Sequence, residues 1–463
     1  MKRNEKAKRT VLIICAFASL GGLLFGMDQG FINGSLHFII DEMNLTLIQG
    51  ESYASIMLIG CIVGTILSGW ISRTIGRKRT IVLAAIFFTI FTLLGSLTHS
   101  VFILFTTRFA LGLAVGSAAF SVPLYLSEMA PAKIRGAVLA TYSCITAIGI
   151  CLVFLSNSVI GAYFQSWRLM LGVIAAPSLV MLIGVIFIPR SPRWLSLKNK
   201  NDEARSVLGK IRETDKEVEF EISEIQQSLK DGNKQSGMKM LKKGFFVRVV
   251  ALGIALMLLQ QFCGINAVIY YSGEIFKIAG FDNPSFGTVT IGLLNVLMTI
   301  IAIRYIDRLG RKPMLYGGLT VMTIMLLIIG ILFKVQESGI ILSGAFKMSL
   351  MVACLVYVAS FGVSLGPIMG ILCAEIFPLE GRDFGLATAM TTCWVGCTIV
   401  VQFSLSIIHH LGGSTLFFIF TFCCILGFFL IRFFTPETKG VTLEEIEINL
   451  KSGKKLRDIG NRP

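Results

Sequence analysis

Twelve apolar stretches, most close to 20 residues or longer, dominate the chain, at 11–33, 53–72, 80–97, 101–125, 136–163, 168–189, 246–276, 284–306, 313–333, 347–373, 384–409 and 414–435. As helices, such stretches cross a hydrocarbon core of ~30 Å. The rest of the composition agrees. Hydrophobic residues make up 54% and charged residues 15% of the chain, against roughly 45 to 50% apolar and about 25% charged in an ordinary globular domain. The sequence therefore predicts an all-α membrane protein with twelve transmembrane helices in a lipid bilayer. The first stretch has no small-residue cleavage site after it and reads as a retained span rather than a signal peptide.

A net charge of +15 in a soluble chain would point toward nucleic acid, but here the placement of the charges decides. If the N-terminus is cytoplasmic, all but five of the 42 Lys and Arg residues fall on the cytoplasmic side; Arg168, Lys277, Lys334 and Lys347 lie outside, and Arg108 lies within a span. By the positive-inside rule both termini and the long central loop are cytoplasmic, and no nucleic-acid partner is expected. The eleven Cys fall inside the spans and read as buried free thiols.

The landmarks repeat. "GRK" follows the second span (Gly76, Arg77, Lys78) and the eighth (Gly310, Arg311, Lys312). A Glu seven residues before an Arg follows the fourth span (Glu128, Arg135) and the tenth (Glu375, Arg382). Proline-led segments, "PRSPRWL" and "PETKG", close the halves. This predicts a tail at 1–10, a six-helix bundle at 11–189, a cytoplasmic linker at 190–245, a second six-helix bundle at 246–435 and a tail at 436–463, with a central site as in transporters built from parallel repeats. In the linker, "DEARSVLGKIRE" and "EFEISEIQQSL" space apolar residues as short amphipathic helices do.

Within the spans, polar residues mark where the chemistry lies. Asp28 interrupts the apolar run in "LLFGMDQGFING", at a cost of about 2.5 to 3.5 kcal/mol at the centre of a membrane helix. Its counterpart is Arg108 in "TTRFALGLAVG". With the first span ending near Gly34 and the fourth starting near Val101, both charges lie ~9 to 10 Å below one surface, a depth that allows them to pair. Burial disfavours a charged carboxylate and a neighbouring guanidinium favours it, so a partner that moves would let Asp28 take and release a proton.

A second cluster, "LLQQFCGINAVIYY", places Gln260, Gln261 and Asn266 within seven residues, and Asn295 adds an amide in the next span. Carboxamides both donate and accept, which suits neutral polyhydroxyl ligands. Gln260 and Asn266 stand about 240° apart on a regular helix. Lining one cavity together requires a break, for which Gly264 is the place. Gly112 and Gly116 form a small-residue pattern that indicates close helix packing. The charges Arg77, Glu128, Arg135, Arg193, Asp307, Arg311, Glu375 and Arg382, recurring in both halves, read as a cytoplasmic gate whose ion pairs join the halves in one conformation and part in another. No nucleotide loop, metal cluster or nucleophile-base arrangement stands out, so no enzyme activity, cofactor or metal is expected.

Taken together, "GRK" twice, "RFALGLAVG", "SEMAPAKIRG", "PRSPRWL", "QQFCGINAVIYY", "IDRLGRKPML", "GPIMGILCAEIFP" and "PETKG" resemble the sugar porter family of the major facilitator superfamily, from about Gly21 to Gly440. The resemblance implies two six-helix bundles around a central sugar site that opens alternately to each side. It implies proton coupling through Asp28 and Arg108, sugar contacts at Gln260, Gln261, Asn266, Asn295 and Trp394, and Tyr270 and Tyr271 near the outer gate. It also implies a protein that works as a monomer in a bacterial inner membrane. This sequence departs from the family pattern at Ser143, where members carry a sugar-binding Gln, and at Gly370, where they carry Trp, which should widen the pocket. It departs again at Arg73 and Arg190, which stand where acidic or amide residues are usual. The expected function is proton-coupled symport of a hexose, pentose or related polyol. The alternatives are a proton-independent facilitator, a non-transporting sensor, and a pocket moved away from sugars altogether.

Overall fold

The structure, a computed structural model, describes residues 2–131, 134–231, 240–281, 283–340, 343–378 and 381–460. These residues are helical almost throughout, and twelve helical stretches are long and apolar enough to span a membrane. The first six are α1 (Lys2–Met43), α2 (Leu47–Thr74), α3 (Arg77–Leu97), α4 (Val101–Met129), α5 (Arg135–Tyr163) and α6 (Trp167–Phe187). The linker forms α7 (Pro192–Leu197), α8 (Asn201–Ile211) and α9 (Asp215–Asp231). The seventh span is split into α10 (Gly244–Phe262) and α11 (Ile265–Ile278). Then come α12 (Pro284–Leu309), α13 (Arg311–Glu337), a tenth span split into α14 (Gly344–Val363) and α15 (Leu365–Ile376), α16 (Arg382–Leu411), α17 (Gly413–Phe433) and a terminal α18 (Leu443–Lys451). Helices suit this setting because lipid offers backbone groups no partner and a helix pairs them internally.

Contacts divide the chain into two compact units. One comprises residues 1–28, 59–156 and 166–234; the other comprises 29–58, 157–165 and 235–463. In the first unit, glycines bring backbones together. A Cβ on Gly26 would lie 2.0 Å from the Thr146 carbonyl oxygen, which is how closely α1 meets α5. A Cβ on Gly116 would lie 2.2 Å from the Cys61 carbonyl oxygen, so the small-residue face of α4 lies directly on α2. In the linker, Pro192 opens α7 and Ser191 caps it, its Oγ accepting from the Trp194 backbone N–H at 3.2 Å. Trp194, Leu195 and Ala204 then pack with Val207, which is the apolar face the sequence spacing anticipates.

In the second unit the structure moves one helix end and adds detail to two other segments. The first span does not stop near Gly34. Helix α1 continues to Met43, because Gly34 is a point of close approach rather than an end: a Cβ there would lie 2.6 Å from Asn157 Cβ, and Asn157 Nδ2 donates to the carbonyl of Phe31 at 3.1 Å. The tenth span breaks at Ser364 (φ −118°, ψ −92°), beside Gly318, where any side chain would collide with the Ser364 hydroxyl. The segment read as a tail after Pro436 contains α18, started by a capping box between Thr442 and Glu445. Of the breaks, the one at Gly264 lies where the amide spacing requires it. Its φ of +91° is open to glycine and strained for other residues.

Candidate functional site

The ionic part of the site belongs to the first unit. Arg108 Nη1 donates to Asp28 Oδ1 at 2.7 Å, and both side chains are at most 1% exposed. Asp28 Oδ2 is buried and makes no hydrogen bond among the described residues. A carboxylate held through one oxygen keeps the other for a proton. Ser143, on α5 of the same unit, is exposed.

The neutral part belongs to the second unit and is a directional chain of carboxamides around the two helix breaks. Asn266 Nδ2 donates to Gln261 Oε1 at 2.5 Å, and Gln261 Nε2 donates to Gln260 Oε1 at 3.4 Å. Gln260 Nε2 ends the chain on the carbonyls of Leu365 (3.0 Å) and Gly366 (3.1 Å), just past the Ser364 break. Gln261 Nε2 also approaches Cys393 Sγ at 3.1 Å. The break at Gly264 is what lets Gln260, on α10, and Asn266, on α11, reach one another through Gln261. Trp394 is buried on α16, next to Cys393. Gly370, on α15, is exposed, and a Cβ there would meet nothing within 4 Å. Asn295 is half-buried on α12. Tyr270 and Tyr271 are buried, and the Tyr271 hydroxyl donates to the Val401 carbonyl at 2.7 Å.

Sequence reasoning missed four members of this unit. Gln29, directly after Asp28, donates from Nε2 to Asn266 Oδ1 at 2.7 Å. One turn on, Asn33 Nδ2 donates to Ser272 Oγ at 2.6 Å and to the Ile269 carbonyl at 2.8 Å. Glu51, which the sequence reading left outside the second span, is 1% exposed on α2 and accepts the Ser406 backbone N–H at 2.7 Å as well as the Ser406 hydroxyl. Ser55 donates to Gln402 Oε1 at 2.5 Å. The signal was present for the first two: amides at i and i+4 share a helix face, and both fall inside an apolar run.

Each half also carries a charge cluster at the turn following its "GRK" landmark. In the first unit the Arg77 guanidinium meets Glu128 Oε1 at 2.9 Å, Ser191 Oγ donates to Glu128 Oε2, and Arg77 Nη1 donates to the Ser72 carbonyl at 3.3 Å. In the second, Arg311 Nη2 meets Glu375 Oε1 at 2.7 Å, Thr438 Oγ1 donates to Glu375 Oε2 at 2.5 Å, and Arg311 Nη1 donates to the Ile306 carbonyl at 3.4 Å. The sequence reading expected ion pairs that join the halves in one conformation and part in another; the two pairs seen here are each internal to one half. The reason is local, since the Arg begins a helix at the turn that faces the end of the helix carrying the Glu. Arg135 and Arg193 are exposed, Arg382 is half-buried at the start of α16, and the side chain of Asp307 lies outside the described residues.

Comparison with known proteins places this geometry in context. Residues 14–450 match the family model described as sugar (and other) transporter. The chain is 41% identical over 463 residues to the galactose-proton symporter of Escherichia coli strain K12, covering 99% of this chain and 98% of that protein. It is 38% identical over 457 residues to the arabinose-proton symporter of the same strain, covering 98% and 96%. The inward-open structure of the xylose transporter XylE from E. coli superposes with a TM-score of 0.82 at 29% identity, covering 95% of this chain and 99% of that one.

Proposed function

Because the chain belongs to the sugar (and other) transporter family, we propose that it carries a monosaccharide, a hexose or pentose or a related polyol, across a bacterial inner membrane together with a proton. The observation that carries this reading is Asp28: buried, bonded to Arg108 through one carboxylate oxygen and unbonded at the other. An ionisable group inside a membrane span is costly unless it has a partner or a task, and a proton site gives this one a task. Relatives described as galactose-proton and arabinose-proton symporters support the same reading.

In the proposed cycle the protein works as a monomer with both termini cytoplasmic, and the bundles at 11–189 and 246–435 open alternately to each side. From outside, Asp28 takes a proton and loosens from Arg108. Sugar hydroxyls then exchange hydrogen bonds with Gln260, Gln261, Asn266 and Asn295, next to Trp394, with open space at Gly370. Tyr270 and Tyr271 close over the outer side. The clusters around Glu128 and Glu375, with Arg135, Arg193, Asp307 and Arg382, act as the inner gate and rearrange as both cargoes leave. Protein reconstituted in vesicles tests this directly. Adding D-galactose, L-arabinose or D-xylose should make the outside more alkaline as the sugar enters. Sugar entry without alkalinisation would instead mean a facilitator, and no entry of any of the three would remove these three sugars as cargo.

A further inference from the structure

The chain passes from one compact unit to the other at the Asp28–Gln29 peptide bond, and the two side chains make unlike bonds. Asp28 is held by Arg108, and the thiol of Cys61 on α2 lies in electrostatic reach of the pair. Gln29 donates its amide hydrogen to Asn266 Oδ1. That oxygen is the acceptor end of the carboxamide chain: every later carboxamide oxygen in it is taken by the preceding amide, from Asn266 to Gln261 to Gln260. Asn266 is 7% exposed and Gln261 4%, so an unmet acceptor here would be costly. A sugar hydroxyl that donates to Asn266 Oδ1 therefore competes with Gln29.

We propose that Gln29 is a built-in occupant of the sugar site and its link to the proton site: it holds Asn266 Oδ1 while Asp28 is paired with Arg108, and yields that oxygen to a sugar hydroxyl when Asp28 takes a proton. This rests on the reading of Asn266 as a sugar contact. Gln29 is a positioning residue, acting on the sugar through Asn266. The link needs no long path, because consecutive residues of one helix cannot move independently. A proton that frees Asp28 from Arg108 shifts the backbone that carries Gln29. Asn33 is different: its amide is spent on the Ile269 carbonyl and the Ser272 hydroxyl, neither of which belongs to the carboxamide chain.

The test is equilibrium binding of D-galactose, L-arabinose and D-xylose to the full-length protein on the acidic and alkaline sides of neutrality, comparing wild type with Gln29→Met and Gln29→Asn. Met keeps the side-chain length without the amide; Asn keeps the amide but falls a methylene short. In both variants the free protein has lost the competing donor, so alkaline affinity should rise about fivefold, the equivalent of one net hydrogen bond, and the difference between acid and alkaline affinity should shrink. A thermal-unfolding transition in detergent like that of wild type shows that the variants are folded. Weaker binding with the pH difference intact would make Gln29 a direct sugar contact and overturn the proposal. Unchanged binding in folded variants would overturn it as well. If wild type binds none of the three sugars, the reading of them as cargo fails and takes this inference with it. If wild type binds and the variants do not differ from it, only the inference fails.

Discussion

The two charge clusters that follow the "GRK" turns share a plan and differ in the charge of one residue. Arg77, Glu128 and Ser191 match Arg311, Glu375 and Thr438 in identity of role and nearly in geometry. In the second cluster Glu437 accepts the first backbone N–H groups of α13, from Arg311 at 3.1 Å and Lys312 at 2.8 Å. The equivalent residue of the first half is Arg190, which offers the first turn of α3 a cation in place of a carboxylate. A helix N-terminus carries partial positive charge and favours an anion; here it faces a cation whose guanidinium lies 6.0 Å from the Trp194 ring and 3.8 Å from Glu203. The duplicated triads show what both halves need. The unequal caps show where the first half has been left less tightly tied.

A second contrast runs through the spans: the first unit holds a buried ion pair and the second a chain of neutral amides. Proton transfer requires a group that changes charge, whereas a neutral polyhydroxyl ligand is recognised by groups that both donate and accept. The largest expected effect tests this division. Asp28→Asn should abolish sugar accumulation driven by an inward proton gradient while leaving sugar exchange in place, as measured by counterflow in vesicles. Accumulation surviving in Asp28→Asn would break the assignment of charge chemistry to the first unit.

The next effect tests the triads against each other. Arg77→Met leaves a carboxylate that is 3% exposed without its guanidinium, and Arg311→Met does the same to one that is 22% exposed. Removing one member of a buried pair costs about 3 kcal/mol or more. Thermal unfolding in detergent should therefore fall for both variants and further for Arg77→Met, because water screens Glu375 better. Equal losses would mean that exposure does not set the strength of these clusters. The smallest effect sharpens the cap comparison. Arg190→Glu would offer α3 the carboxylate that Glu437 offers α13, and should stabilise by about 1 kcal/mol, the usual magnitude of a cap and a favourable helix-end charge. The exposed contact with Glu203 that it removes contributes little. No rise in the unfolding temperature would mean that the backbone at Gly76 does not present its N–H groups as Gly310 does.

Much of this was legible beforehand for identifiable reasons. Spans are long and apolar because lipid leaves no other choice, so their number could be counted. Asp28 and Arg108 stood out because charges in spans are rare; the depth argument that paired them used a helix end at Gly34 that the structure moves to Met43. Gly264 was legible because three amides could not converge without a break. The break at Ser364 carried a signal that the sequence reading did not use, Gly366-Pro367 in the first turn of α15, whose proline has no N–H to continue the preceding helix; what only the fold shows is that Gly318, on another helix, leaves room for the Ser364 hydroxyl. Glu51 was lost because a charge at a span edge looks like a loop residue, and only the Ser406 N–H and hydroxyl on α16 explain its burial.

What the sequence determined by itself is therefore what depends on one segment at a time: helix number, the cost of each buried charge and the duplicated landmarks. What only the tertiary structure decided is which groups meet. Asn157 turned Gly34 from an apparent helix end into a packing contact. Gln29 became part of the amide chain because Asn266 lies opposite it. The triads closed within each half because the turn and the helix end that form them are neighbours in space. Hydrogen bonds act over about 3 Å, and residues more than two hundred positions apart, such as Gln29 and Asn266, come within that range only when the chain has folded.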